Sequence, residues 1–157
     1  FPAGDEASGG WIGLRAINLV ERVVDGRAPS SAFAEALIAA CGAVGHAVGQ
    51  KRRDAIQVWL GRANQTAYAE LAPIVVAHAG SDASARAILE AAGLEVASLA
   101  HALDPTGQLP LALCGGLGEP LRAYLPPTLA ARCKAPQGDA ASGALRMITR
   151  QLNPATP

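Results

Sequence analysis

Apolar residues recur at near-helical spacing close to the start of the chain, through Ile12, Leu14, Ile17, Leu19, Val20, Val23 and Val24. Asp25-Gly26 then supplies a stop, so the pattern predicts a first helix ending there. Pro29-Ser30-Ser31 offers the next start, and Phe33, Leu37, Ile38, Cys41 and Val44 fall on one face of a second helix that ends near Gly42. A short third helix fits residues 51–61, opening on Lys51-Arg52-Arg53, continuing through Ile56, Trp59 and Leu60, and stopping at Gly61. Tyr68 and Leu71 precede Pro73, which has no amide to donate, so the chain breaks or kinks there and resumes through Val75, Val76 and Ala79. Asp82 caps the longest predicted helix, which turns Ile88, Leu89, Ala92, Val96, Leu99, Ala100 and Leu103 inward and ends at Asp104-Pro105-Thr106-Gly107.

Beyond that point the pattern changes. Leu109 to Cys114 is a short apolar run closed by Gly115-Gly116, and Glu119-Pro120-Leu121 looks like a first helical turn, which together read strand, glycine turn, helix. A second strand is expected at Arg132 to Ala135 after Pro126-Pro127, a last helix from Asp139 to about Leu152, and a loose tail over 153–157. The segments Gly4-Asp5-Glu6-Ala7-Ser8-Gly9 and Gly138-Asp139-Ala140-Ala141-Ser142-Gly143 differ only at Glu6 against Ala140, so two helices begin alike. Small residues in a first turn let helix backbones approach, which predicts that these two touch or cross near their starts. A simple shared preference for Gly-Asp at helix starts accounts for the same echo.

Composition narrows the function classes. A chain of 157 residues is one ordinary domain, able to bury about 68–70 % of the surface its unfolded form exposes. Aromatics make up only 4 % and alanine is abundant, which favours closely packed helices over a sheet sandwich. Thirteen basic residues balance thirteen acidic ones without a block of either sign, so nothing points to nucleic acid or an anionic membrane. Cys41, Cys114 and Cys133 are widely spaced and odd in number, which suits a reduced, cytoplasmic setting. The apolar run Leu37 to Gly49 is too short to span a bilayer, and no signal peptide with a basic start is visible. The chain opens at Phe1-Pro2 without Met and runs at once into a Gly-Asp-Glu turn, from which an N-terminal part is expected to be missing.

Three segments together carry a resemblance: Gly4-Asp5-Glu6-Ala7-Ser8-Gly9-Gly10-Trp11-Ile12-Gly13, Leu113-Cys114-Gly115-Gly116-Leu117, and Pro136 to Leu145. They resemble the C-terminal half of N-acetylglucosamine and glucosamine kinases of the BadF/BadG/BcrA/BcrD-type ATPase family, over nearly the whole chain. The implied fold class is α/β: the helix-rich C-terminal lobe of an actin-like ATPase (ribonuclease H-like) fold with few strands, over residues 1–152. The resemblance further implies ATP with Mg2+, an amino sugar as substrate, phosphorylation to the 6-phosphate, and a homodimer as an allowed assembly.

The resemblance also assigns residues. The position of Asp5 contacts the sugar in that family, and Glu6 follows it with a weaker claim. A carboxylate at a tight turn suits the task, since it accepts hydroxyls in charge-assisted bonds of about 1.5–3 kcal/mol each; a helix N-cap is the competing role for Asp5. Gly115 and Gly116 match a glycine turn lying against the adenosine, extending to Leu117, Gly118 and Glu119, with Ala69 beside the break at Pro73. Two glycines after a strand let a ligand reach the backbone and make positive φ cheap, although such turns also occur without ligands.

The family's first phosphate loop and its general base belong to the other lobe, so no catalytic residue is expected here and this chain alone is expected to be inactive. No metal site is expected, since His46, His78 and His101 lie far apart. Lys51-Arg52-Arg53 reads as a solvated helix start, Ser30-Ser31 as a cap, and Ser8 and Trp11 as capping or packing residues. Two rival classes remain. ATP-driven activators of acyl-CoA dehydratases and reductases carry a cluster-ligating Cys where this chain has Asp5, Glu6, Ala7 and Ser8. A non-catalytic helical interaction domain would use the glycine turns structurally.

Overall fold

The computed structural model describes residues 4–43 and 50–152. Val44 and His46, the opening Phe1-Pro2 and the tail Asn153 to Pro157 lie outside the described residues. The organising element is α1 (Gly9–Val24), which packs against α2 (Ala32–Ala40), α3 (Gln50–Leu60), α4 (Gln65–Ala69), α5 (Ala72–His78) and α6 (Ala83–Leu103). It starts where Ser8, in an extended conformation, accepts the Trp11 amide on its hydroxyl at 3.1 Å. Ile12, Ala16 and Val20 on α1 are wholly buried, as are Phe33 and Leu37 of α2, Val75 of α5 and Leu89 of α6. Each large apolar side chain buried this way contributes about 1.5–3 kcal/mol.

Small residues set how closely the helices approach. A Cβ on Gly13 would lie 1.8 Å from the Tyr68 carbonyl oxygen, so α4 rests directly on the backbone of α1. A Cβ on Gly93 of α6 would lie 2.1 Å from the Tyr124 carbonyl oxygen in the same way. The break at Pro73 falls at residues 70–71, and Pro73 itself sits in the first turn of α5, where its missing amide costs nothing. Ser31 caps α2 through the Ala34 amide, and Asp82 caps α6 through those of Ser84 and Ala85.

Several expectations are corrected. On α6, Ile88, Leu89, Ala92 and Ala100 are buried and Val96 half-buried, but Leu99 and Leu103 are 51 % and 86 % exposed. A second, smaller cluster of Ala100, Leu125, Leu129 and Cys133 covers a different side of that helix, and no described residue covers the leucines. Arg52 is not solvated: it is buried and paired with Glu35 of α2, while Arg53 pairs with Asp25, so these cations tie α3 to its neighbours. The two expected strands meet only in a parallel bridge between Leu111 and Cys133. The Leu111 amide donates to the Arg132 carbonyl at 3.1 Å and the Lys134 amide to the Leu111 carbonyl at 2.7 Å. Pro110 has no amide to extend the ladder, and an isolated pair of strands is marginal in water. Between them lie α7 (Gly118–Arg122) and α8 (Pro127–Ala130).

The last helix, α9 (Ala140–Leu152), forms as predicted, but every one of its residues is exposed. It is therefore not packed on α1, and the close approach expected from the repeated Gly-Asp-x-Ala-Ser-Gly segment is absent among the described residues. No helix in the described residues is long and apolar enough to cross a membrane.

Candidate functional site

The segment before α1 is a tight turn. The Ser8 amide donates to the Asp5 carbonyl at 3.1 Å, and Ala7 between them is buried with φ +64. A non-glycine residue in the left-handed region costs about 1–2 kcal/mol and is found where the surroundings fix the backbone, functional sites among them. Ser8, not Asp5, is the N-cap of α1. Asp5 stands three residues ahead, half-buried, and its Oδ2 accepts two hydrogen bonds: from the Ser8 hydroxyl at 2.7 Å and from Gln65 Nε2 at the start of α4. Its Oδ1 has no hydrogen-bond partner among the described residues, whereas Glu6 is simply exposed.

Behind this turn, Trp11 is buried and the Arg15 guanidinium sits 3.2 Å above its ring centre. Burial lowers the pKa of Arg15, and Glu95 opposes the shift.

The glycine turn has a definite geometry. Gly115 has φ +83, and the Gly118 amide closes the turn on the Gly115 carbonyl at 3.1 Å. Gly118 is buried so tightly that a Cβ would lie 3.0 Å from the Leu113 carbonyl carbon. Gly116 differs from the expectation for the pair: it is not in the left-handed region, and a Cβ there would meet no atom within 4 Å. The positive φ belongs to Gly115, and Gly116 borders open space.

These two turns share one cleft of about 560 Å3. Ala7, Ser8 and Gly9 supply one wall, Ala69, Ala72 and Pro73 another, and Leu113 to Gly118 a third, with Val96 and Leu121 at the floor. The volume lies within the range of about 300–1,000 Å3 usual for small-ligand sites. Apart from the Ser8 hydroxyl and the Cys114 thiol, the lining side chains are apolar or absent, which suits a planar ring held by burial and backbone contacts.

Of the residues singled out in the sequence, Ala69, Gly115, Gly116, Leu117 and Gly118 are thus brought together. Glu119 lies off this cleft, on a neighbouring one of about 670 Å3 that it shares with Cys114, Gly115, Pro136, Gly138 and Asp139. Asp5 and Glu6 do not line the main cleft, but Ala7 and Ser8 place their turn on its edge. Pattern reasoning missed Val96, which looked like an ordinary core position, and Gln65, whose link to Asp5 spans 60 residues and leaves no local signal.

Two further polar groups, His78 and Asp139, have structural partners. His78 Nδ1 bonds the Ile74 carbonyl at 2.9 Å and its ring tilts against Phe33, and Asp139 accepts the Ser142 amide at 2.7 Å at the start of α9. No group of three or more His, Cys, Asp and Glu among the described residues could hold a metal ion.

No protein-family model matches the chain, and no curated protein matches it significantly. Among solved structures, it is similar to a protein from Chromobacterium violaceum provisionally described as an N-acetylglucosamine kinase, with 43 % sequence identity and a TM-score of 0.84. The match covers 94 % of this chain but 49 % of that one, so the chain spans about half the length of the protein it resembles. The helix-rich fold described above matches about half of that protein.

Proposed function

We propose that this chain is the C-terminal lobe of an ATP-dependent kinase acting on an amino sugar, N-acetylglucosamine or glucosamine, to give the 6-phosphate. The observation that carries the reading is the single cleft on which the Asp5 turn and the Gly115-Gly116 turn converge, in a chain 43 % identical to the Chromobacterium violaceum protein. In this reading the apolar walls take the adenosine and the bare backbone at Gly116 lets it approach. Asp5, held through Oδ2, offers Oδ1 to sugar hydroxyls.

General-base chemistry and the phosphate clamp need groups facing the phosphoryl from the other side, and these belong to a second lobe. Mg2+ in such a reaction would be held chiefly by the substrate phosphates with one or two carboxylates and would neutralise the phosphate charge. The apolar face of α9, with Leu145, Ile148 and Leu152 exposed at helical spacing, would pack on that second lobe. The setting is cytoplasmic. An activator of acyl-CoA dehydratases finds less support, because the turn before α1 offers no thiolate.

The test is a coupled ADP-release assay over a panel of hexoses, run on the two-lobed protein and on residues 1–157 alone. Turnover restricted to amino sugars and to the two-lobed protein is expected. Turnover by the single lobe, or none with any hexose, contradicts the proposal.

A further inference from the structure

We infer that Gln65 is a positioning residue: its side-chain amide sets the direction in which the Asp5 carboxylate meets the sugar. The inference rests on the reading of Asp5 as the sugar's acceptor.

Gln65 opens α4, yet it does nothing for that helix's own start. Asn64 is the N-cap there, accepting the Ala67 amide at 3.0 Å, so the Gln65 amide is released from capping and reaches across to Asp5 Oδ2. Gln65 is exposed and Asp5 only half-buried, and a hydrogen bond open to water adds little to stability, because water offers an equivalent bond. What it fixes is orientation. The terminal torsion of an aspartate is broad and roughly two-fold, so a carboxylate at a turn rotates freely unless both ends of its reach are constrained. Ser8 and Gln65 bind the same oxygen from different elements, one from the turn and one from α4, and leave Oδ1 for a ligand.

The platform from which Gln65 reaches is itself rigid. The Tyr68 carbonyl lies against the bare Gly13 backbone, the Ala69 methyl would be 3.1 Å from a Cβ on Gly9, and the Tyr68 ring meets Trp59 edge-on at 5.2 Å between centroids. One five-residue helix therefore carries the Asp5 support at one end and Ala69, a wall of the cleft, at the other. Its placement ties the carboxylate's aim to the position of the cleft.

The experiment uses the two-lobed protein with N-acetylglucosamine and ATP as probes, and combines Gln65→Ala with Asp5→Asn in a double-mutant cycle. Gln65→Ala is expected to raise the sugar KM about 2- to 13-fold, the range of one ordinary hydrogen bond, with the ATP KM and the thermal midpoint unchanged. Added to Asp5→Asn, it should cost less than it does alone, since it acts through the side chain at position 5. Gln65→Glu keeps the chain length but sets a second carboxylate against Asp5, and should raise the sugar KM more than Gln65→Ala does. If Asp5→Asn weakens the sugar while both Gln65 variants leave its KM at the wild-type value, the positioning role is overturned and the reading of Asp5 survives. Full additivity in the cycle also overturns it, because Gln65 then acts by another route. A wild-type sugar KM in Asp5→Asn itself removes the reading of Asp5 and this inference with it.

Discussion

The carboxylate of Asp5 sits in a turn rather than at a helix end, and that changes what its substitution should do. Because Ser8 caps α1, Asp5→Asn leaves the cap in place and keeps an oxygen able to accept from Ser8 or Gln65. It nevertheless removes the charge and, on the proposed reading, places a donor where a sugar hydroxyl needs an acceptor. Sugar affinity should fall about 10- to 150-fold, the loss of one charge-assisted bond of about 1.5–3 kcal/mol, with ATP affinity and thermal midpoint nearly constant. Titration calorimetry with each ligand checks this. A stable Asn variant with wild-type sugar affinity would sink the assignment and leave Asp5 a turn residue only.

At the level of elements, the contact between α1 and α4 is the one that positions the site. Gly13→Ala should destabilise the lobe by about 1–3 kcal/mol or more, since the new methyl would overlap a backbone carbonyl that cannot move as a side chain would. Chemical denaturation measures it, and an unchanged midpoint would mean that α4 is free to shift. A second element-scale test concerns the turn after α6. Asp104 is buried and accepts from the Leu109 amide at 2.8 Å, the Thr106 hydroxyl at 2.7 Å and the Gly107 amide at 3.1 Å, with Arg132 paired to it at 2.6 Å. These bonds, the Leu109 amide foremost, hold its pKa below the usual aspartate value. A depressed carboxylate stabilises the fold above its unfolded pKa of about 3.9, and that contribution is lost as pH falls through the lower folded value. Wild type should therefore melt above Asp104→Asn at pH 6, with the gap closing towards pH 2–3. A gap independent of pH would contradict this.

The same elements show what the sequence could and could not disclose. Helices with a clear cap and stop were legible: Ser31, Asp82 and the Asp25-Gly26 stop all act as read, because capping is decided within three or four residues. The strands were legible as segments but not as a sheet, since pairing depends on neighbours and only Leu111 and Cys133 find each other. Arg52 looked solvated because its partner, Glu35, lies on another helix, and Gln65 went unnoticed for the same reason. The cleft was half legible: the glycine turn and Ala69 were identified through a resemblance, while Val96 looked like any core position. The echo between the two Gly-Asp segments correctly marked two helix starts, yet it carried no information on whether those helices meet.

For the whole molecule, the exposed apolar face of α9, the bare leucines of α6 and the lone parallel bridge have a common cause if a second lobe supplies the missing neighbours. An isolated amphipathic helix of this length is marginal in water, so α9 should gain protection from amide exchange only when that lobe is present. On the proposed reading, however, the glycine turn meets the nucleotide. Gly116 isolates that contact, because a Cβ there meets no protein atom within 4 Å and its backbone is outside the left-handed region. Any loss on adding a side chain must then come from the ligand. Titration calorimetry of Gly116→Val in the two-lobed protein is predicted to show ATP binding weakened by an order of magnitude or more, with N-acetylglucosamine affinity and folding retained. Wild-type ATP affinity, or equal losses for both ligands, would contradict the account.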